Sequence, residues 1–512
     1  MESPPMPPPS SQGPQRPPPM SHVDGSPLSA EAQEVLEIRR GMAAMNAVFD
    51  WTGPDDPDNP RNFSRAWRFF ITASVTLLAF VATTAGAIYA PAQSAVEKEF
   101  HCSDTVAILP LSMYNWGLAF GPMVGAPLSE AYGRKAVFVC AAPIFICFQL
   151  GAGFSRTPAS LIACRFFSGM FGSPLISNAS ATILDLTSGS YRGVALGIYY
   201  SLPSFGAVLG PLIGGFVVAE NDWRWTQWLG VILTAAMYVP VCFMRETYKK
   251  VVLQRRAVRL GLQDSSSQRT SPGRAFRYFV TVLIQRPVHM LLTEPIVTLI
   301  SMYNAFILSL FYTFVVSVPW IFRTYYGFDA TQETLSFLGL NVGAILVPIP
   351  MILIDLRFYQ KRLRQWRLHH AEDEPLPPEN RLISSLAGSF VLPVGMFVVA
   401  WTAQNRVHWA VPIFFQGVVM LSSMLVYAGA TLYMLDSYGP LYGASASGAL
   451  QLSRYMLSAA FPLFALRMFQ SLGVGWALTL LGFITLAMAP IPWLFWYYGP
   501  QIRARSRYET SQ

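Results

Sequence analysis

The chain has 512 residues, 53% of them hydrophobic and 12% charged, with a mean hydropathy of +0.37. Soluble globular proteins carry roughly 25% charged residues, so this deficit excludes an ordinary water-soluble domain and implies a large lipid-facing surface. The net charge of +8 is spread between apolar runs rather than gathered in one patch, which excludes a nucleic-acid-binding surface.

From the start of the chain, residues 1–65 read as a cytosolic tail. Its first stretch, PPMPPPSSQGPQRPPP, has no apolar core and resembles no signal peptide; prolines at this density give an extended, solvated segment. A helix crossing a bilayer needs about 20 apolar residues. Twelve such segments follow, near 67–90, 106–127, 134–154, 158–183, 193–219, 224–244, 295–318, 332–354, 381–401, 409–434, 442–469 and 473–497. They divide the chain into a six-helix bundle over 66–244, a basic connector over 245–294, a second six-helix bundle over 295–497 and a tail over 498–512. Lys and Arg favour cytosolic loops. With both termini inside, 28 basic residues fall on the cytosolic side, five outside, and three (Arg165, Arg454 and Arg467) within segments. The fold class is therefore all-α, membrane-spanning, with both termini cytosolic. Two six-helix halves around a midplane site are the architecture of secondary transporters.

In chain order, the second segment offers Tyr114, Asn115 and Trp116 to a cavity. The turn after it reads APLSEAYGRK, where Glu130 beside Arg134 and Lys135 can form a charge latch that breaks and remakes during rocking. Arg165 opens RFFSGMFGSP in the fourth segment; a charge at that depth needs a cavity or a partner unless it snorkels. Asp185 closes the same segment. The fifth reads GIYYSLPSFGAVLGPLIGG. Gly206, Gly210 and Gly214 recur every four residues on one helix face, which permits close helix approach, while Pro211 weakens the hydrogen-bond ladder. Tyr199 and Tyr200 lie in this helix too. The connector carries LQDSSSQRTSPG at 262–273, a surface segment. Tyr303, Asn304, Phe311 and Tyr312 in the seventh segment, with Gln451 and Arg454 in the eleventh, are further cavity candidates. Arg454 either draws an anionic or carbonyl-rich compound or pairs with Asp436 or Glu294. The carboxylates Glu130, Asp185, Glu294 and Asp436 all fall near cytosolic ends, so the residues do not single out a proton carrier.

On these motifs the chain resembles the drug:proton antiporters of the major facilitator superfamily, and within them the fungal twelve-span family of polyamine, benomyl and azole-type multidrug exporters. The glycine pattern Gly197, Gly206, Gly210, Pro211, Gly214 and Gly215 matches that family's span 5 antiporter motif; the turn and Arg165 match its loop and span 4 motifs. Ala126, Ala131 and Ser168 depart from them. DDPDNPRNFSRAWR, GPLYGASASGALQLSRYMLSAAFPLF and LGVGWALTLLG extend the likeness over about residues 51–508. The resemblance implies proton coupling and conformational roles for Arg165, Asp185, Glu130, Arg134 and Lys135. It implies export of hydrophobic or amphipathic compounds through the plasma membrane by a monomer. The cargo class includes drugs and self-made polyketide toxins such as cercosporin.

Polyamine export is disfavoured for want of midplane carboxylates. Uptake symport is opposed by the span 5 motif, and a sensor on a transporter fold by short tails. No metal-ligand spacing appears among the five cysteines or around His369 and His370, and no GxxxxGK[ST] loop is present. An enzyme, a metal or cofactor, and ATP-driven transport are therefore not expected.

Overall fold

The computed structural model describes residues 50–53, 55–187, 192–260, 281, 284–370, 376–506 and 508. The proline-rich stretch and the 262–273 segment lie outside the described residues. Asp55–Gln512 form one compact unit.

Among the described residues the unit is built of helices, and their ends follow local chemistry. Ser64 caps α1 (Arg65–Ala87) by accepting from the Trp67 N–H at 3.3 Å. Then come α2 (Asp104–Tyr132), α3 (Arg134–Gly153), α4 (Pro158–Leu186), α5 (Arg192–Glu220) and α6 (Trp225–Cys242). α4 starts with proline at its first position behind a Thr157 cap. In the second half α7 is Pro295–Tyr326, longer than its apolar core suggests because Gly327, at φ 69°, closes it in the left-handed conformation. An Asp329–Gln332 capping box opens α8. That helix runs over Ala330–Arg367 in short pieces interrupted around Pro348, so it extends past the expected end at 354. α9 occupies Pro378–Gln404 and α10 Ala410–Gly439. Helical hydrogen bonding continues unbroken from Ala410 to Met488, but Gly439 (φ 56°) and Gly473 (φ 74°) leave helical geometry. They divide the run into α10, α11 (440–472) and α12 (474–504, past the expected end at 497). Ten stretches have membrane length and hydropathy. With α2 counted, and the last stretch divided at Gly473, the described residues make twelve crossings.

The basic connector contributes a short helix, Lys249–Arg259. Its Arg256 donates to Asp56 at 2.6 and 2.8 Å and to Asp58 at 2.7 and 3.0 Å, and these carboxylates hold the guanidinium more firmly protonated than usual. This clasp ties the DDPDNP segment ahead of α1 to the connector.

Candidate functional site

Midway along the helices a cleft opens between the two halves, lined by nine residues from each. The first half supplies Thr83, Leu118, Ile176, Ser180, Tyr199, Tyr200, Pro203, Ser204 and Ala207. The second supplies Leu308, Phe311, Tyr312, Met420, Met424, Tyr427, Gln451, Arg454 and Tyr455. Of the sequence candidates, Tyr199, Tyr200, Phe311, Tyr312, Gln451 and Arg454 meet here. Tyr114, Asn115, Tyr303 and Asn304 do not. They are buried in helix contacts outside the cleft, Tyr114 with its hydroxyl donating to the Ala82 carbonyl at 2.6 Å. Sequence reasoning missed Tyr427, Met420 and Met424, whose spacing of four and three residues puts them on one face of α10. It also missed Tyr455, one turn beyond Gln451.

Among the described residues Arg454 is the one Asp, Glu, Lys, Arg or His side chain that lines the cleft. It is 7% exposed, lies over the Tyr427 ring at 3.9 Å, and its Nε has no acceptor. Neither carboxylate offered by the sequence reaches it. Asp436 pairs with Arg381 at 2.8 Å, and Glu294 accepts from Tyr438 at 2.9 Å and Ser506 at 2.6 Å. The Gln451 Oε1 is likewise buried without a donor.

The cleft is closed at the end away from the Gly133 turn. There Arg467 donates to Thr105 at 3.3 Å, joining α11 to α2 rather than reaching the interface alone. Nearer mid-depth, Asn341 of α8 donates to the Val208 carbonyl of α5 at 3.3 Å. The α5 glycines split between two neighbours. A Cβ at Gly206 would meet the Phe80 carbonyl at 2.6 Å, and one at Gly210 the Thr84 carbonyl at 2.9 Å; Gly214 abuts Ile88. All three press on α1 and its continuation. Gly197 and Gly215 are 18 residues, five turns, apart on the other face; they meet Met351 and Thr334 of α8. Pro211 lacks an N–H, so the Ala207 carbonyl at the cleft wall loses its helical donor.

Arg165 is fully buried, and it neither snorkels nor lines the cleft. Its guanidinium donates to the carbonyls of Ala85 at 2.8 Å and Gly86 at 2.6 Å, and Nε to Pro110 at 3.4 Å, with the Tyr114 ring 4.6 Å away. Ala85 and Gly86 belong to the last turn of α1, whose carbonyls lack intrahelical donors. A cation there also meets the negative end of the helix dipole.

At the turn, Gly133 sits at φ 100°. The latch there differs from the expected one: Arg134 pairs with Asp185 at 3.1 Å rather than with Glu130, and donates to Ser129 at 2.7 Å. The second acid is Glu246, after α6. It accepts from the backbone N–H groups of Arg134 (2.8 Å) and Lys135 (3.2 Å), the open N-terminus of α3, and of Thr247 and Tyr248, both at 3.0 Å. A Cβ at position 133 would strike the Glu246 carboxylate. No sequence spacing marks Glu246 for this, because all four partners are backbone groups, two of them 111 and 112 positions away. The second half repeats the arrangement: Arg381, ahead of the main helix of α9, pairs with Asp436 of α10 and lies over Tyr359 at 3.8 Å. Arg381 also lies 4.0 Å from Asp355, and the repeat is invisible by residue identity because it consists of an arginine and its carboxylates alone.

Comparison with known proteins agrees with this architecture. The family model described as Major Facilitator Superfamily matches residues 75–462. The chain is 34% identical over 478 residues to the MFS-type efflux pump MFS2 of Trichophyton rubrum, covering 91% of this chain and 78% of that protein. It is 32% identical over 481 residues to polyamine transporter 4 of Saccharomyces cerevisiae, covering 90% and 73%. In fold it resembles the xylose transporter XylE from E. coli in a partially occluded inward open conformation, at a TM-score of 0.59 and 14% identity over 85% of this chain and 98% of that one.

Proposed function

This chain belongs to the Major Facilitator Superfamily, alongside fungal efflux pumps and multidrug transporters, and from that membership we propose that it exports hydrophobic or amphipathic small molecules across the plasma membrane in exchange for protons. It is a multi-pass membrane transporter rather than an enzyme. The observation that carries the export reading is α5. Its Gly206–Gly210–Gly214 face is locked on α1, while Gly197 and Gly215 bear on α8 of the opposite half. The helix is thus fixed to one half and slides against the other, as a rocking element must.

In the proposed cycle a compound enters the aromatic cleft, and the halves rock until the Thr105–Arg467 and Gly215–Thr334 contacts part. Arg165 keeps α1, α2 and α4 moving as one body. The Arg134–Asp185–Glu246 cluster and the Arg381–Asp436 pair break and remake at the opposite end. Lys135 and Glu130 flank that cluster, and Asp185, the acid of its ion pair, is the candidate proton-linked group. The cargo is a drug or a self-made polyketide.

The test is efflux from yeast lacking its own drug pumps, loaded with fluorescent drugs and coloured polyketides with and without a protonophore. Protonophore-sensitive efflux that Gly210→Val abolishes, at equal surface level, supports the proposal. A surface-localised protein that carries compounds inward, or moves none of them, overturns it in favour of uptake or sensing.

A further inference from the structure

Resting on the export reading, we infer that the cargo is an amphipathic organic anion, a conjugated ring system bearing a carboxylate or an equally acidic oxygen, and that Arg454 selects it. The guanidinium is more than nine-tenths buried, faces the cleft and has an Nε without an acceptor. An Arg side chain is charged at every physiological pH, and leaving such a charge buried without acceptors is costly. Arg165 shows how this fold satisfies an arginine that serves packing: three backbone carbonyls and no opening to the cleft. Arg454 has no such acceptors. Its neighbours are the faces of Tyr427 at 3.9 Å and Tyr455 at 5.7 Å, which steady a cation but leave the in-plane N–H fork empty.

The remaining lining selects in the same direction. Among the described residues no Asp, Glu, Lys or His faces the cleft, so the site's field is that of one positive charge. A planar carboxylate accepts two parallel N–H bonds from such a fork. Tyr199, Tyr200 and Tyr312 offer ring faces to the conjugated body. Gln451 is one turn-step from Arg454 on the same face; its unpaired Oε1 would accept from a hydroxyl next to the acid. A polyamine finds no counter-charge here, which separates this chain from its polyamine-transporting relative in cargo though not in fold.

The experiment is equilibrium binding to the full chain in lipid nanodiscs, by calorimetry in a Tris-chloride buffer free of carboxylates at neutral pH. Three ligands share one ring: 2-naphthylacetate, its primary amide and 2-naphthylethylamine. The acid is expected to bind at least about tenfold more tightly than either analogue, the worth of one bidentate charge-assisted contact. Arg454→Gln is expected to bring the acid down to the amide's affinity and leave the amide unchanged, while Arg454→Lys keeps part of the preference. The wild-type ranking needs no variant to fold. Equal or tighter binding of the amide or the amine, no binding of the acid, or an Arg454→Gln that weakens all three alike would each overturn the inference. A chain that effluxes the amine but not the acid keeps the export reading and loses this one. Tight binding of the acid with no efflux of any compound does the reverse.

Discussion

Arg165 and Arg454 are both arginines inside membrane helices, and the protein treats them in opposite ways. Arg165 is enclosed by the carbonyls of Ala85, Gly86 and Pro110 and the ring of Tyr114. It completes the C-terminal end of α1, supplying the donors that the last helical turn lacks. Arg454 has aromatic faces around it and, among the described residues, no acceptor for its Nε. What distinguishes the two is whether a helix end lies within reach. Where α1 ends, a buried cation is a structural part; where no helix end lies within reach, the same residue is left to a ligand.

The largest effect expected from this contrast is at Arg165. Replacement by Ala orphans two helix-end carbonyls and removes three charge-assisted hydrogen bonds, of which the two short ones, to Ala85 and Gly86, are worth about 1.5–3 kcal/mol each. Arg165→Ala should lose about 3 kcal/mol or more of stability, seen as a collapse in monodisperse yield and melting temperature of the solubilised protein. Lys at the same site reaches fewer carbonyls and should fall between. A normal melt for Arg165→Ala would remove the contrast altogether. Next in size is the seating of α1, which Arg165 holds at one end and the α5 glycines along its length. Gly206→Val drives methyl groups into the Phe80 carbonyl, with a Cβ at 2.6 Å before any side chain is added. Overpacking of this kind costs typically 1–3 kcal/mol. Gly448→Ala is the control, since its Cβ would sit at an ordinary 3.5 Å from Pro287. It should melt like the wild type.

Most of the fold was legible in the sequence, and the reason is the solvent. Lipid requires long apolar runs and internally satisfied backbone, so twelve segments and two halves follow from hydropathy. The glycine face of α5 was equally legible, because a four-residue period has one structural meaning in a helix. The site was legible only where helical spacing carried it, as with Gln451 and Arg454. Tyr114, Asn115, Tyr303 and Asn304 are not among the residues that line the cleft, and an aromatic or amide in a helix does not declare which neighbour it faces. Glu246 was hidden for another reason. Its four acceptor contacts are all to backbone N–H groups, which every residue possesses, so no partner residue type betrays it.

The ion pairs at the turn end are a middle case in the same comparison, since both partners are side chains and both remain partly exposed. Arg134 is 14% and Asp185 23% exposed, so a double-mutant cycle across them should give coupling of about 1 kcal/mol. The Arg381–Asp436 cycle should be of similar size, because its deeper arginine (7% exposed) is offset by a more exposed aspartate (32%). Coupling near zero in both would mean that the paired halves are held by helix packing alone, and the latch would lose its role in rocking.

The smallest effect is the most diagnostic. Arg454→Met removes a buried charge whose Nε has no acceptor and substitutes an unbranched apolar chain of similar reach. If the guanidinium served packing, the variant would lose stability as Arg165→Ala does. If it waits for a ligand, its removal takes away a desolvation cost that no protein acceptor offsets. The melt of Arg454→Met in the absence of ligand should then match the wild type or exceed it by up to about 1 kcal/mol. The two proteins should part company only when an aromatic acid is added: the wild type gains melting temperature by mass action, and the variant does not. A variant that melts well below the wild type without ligand would place Arg454 beside Arg165 as a second structural cation.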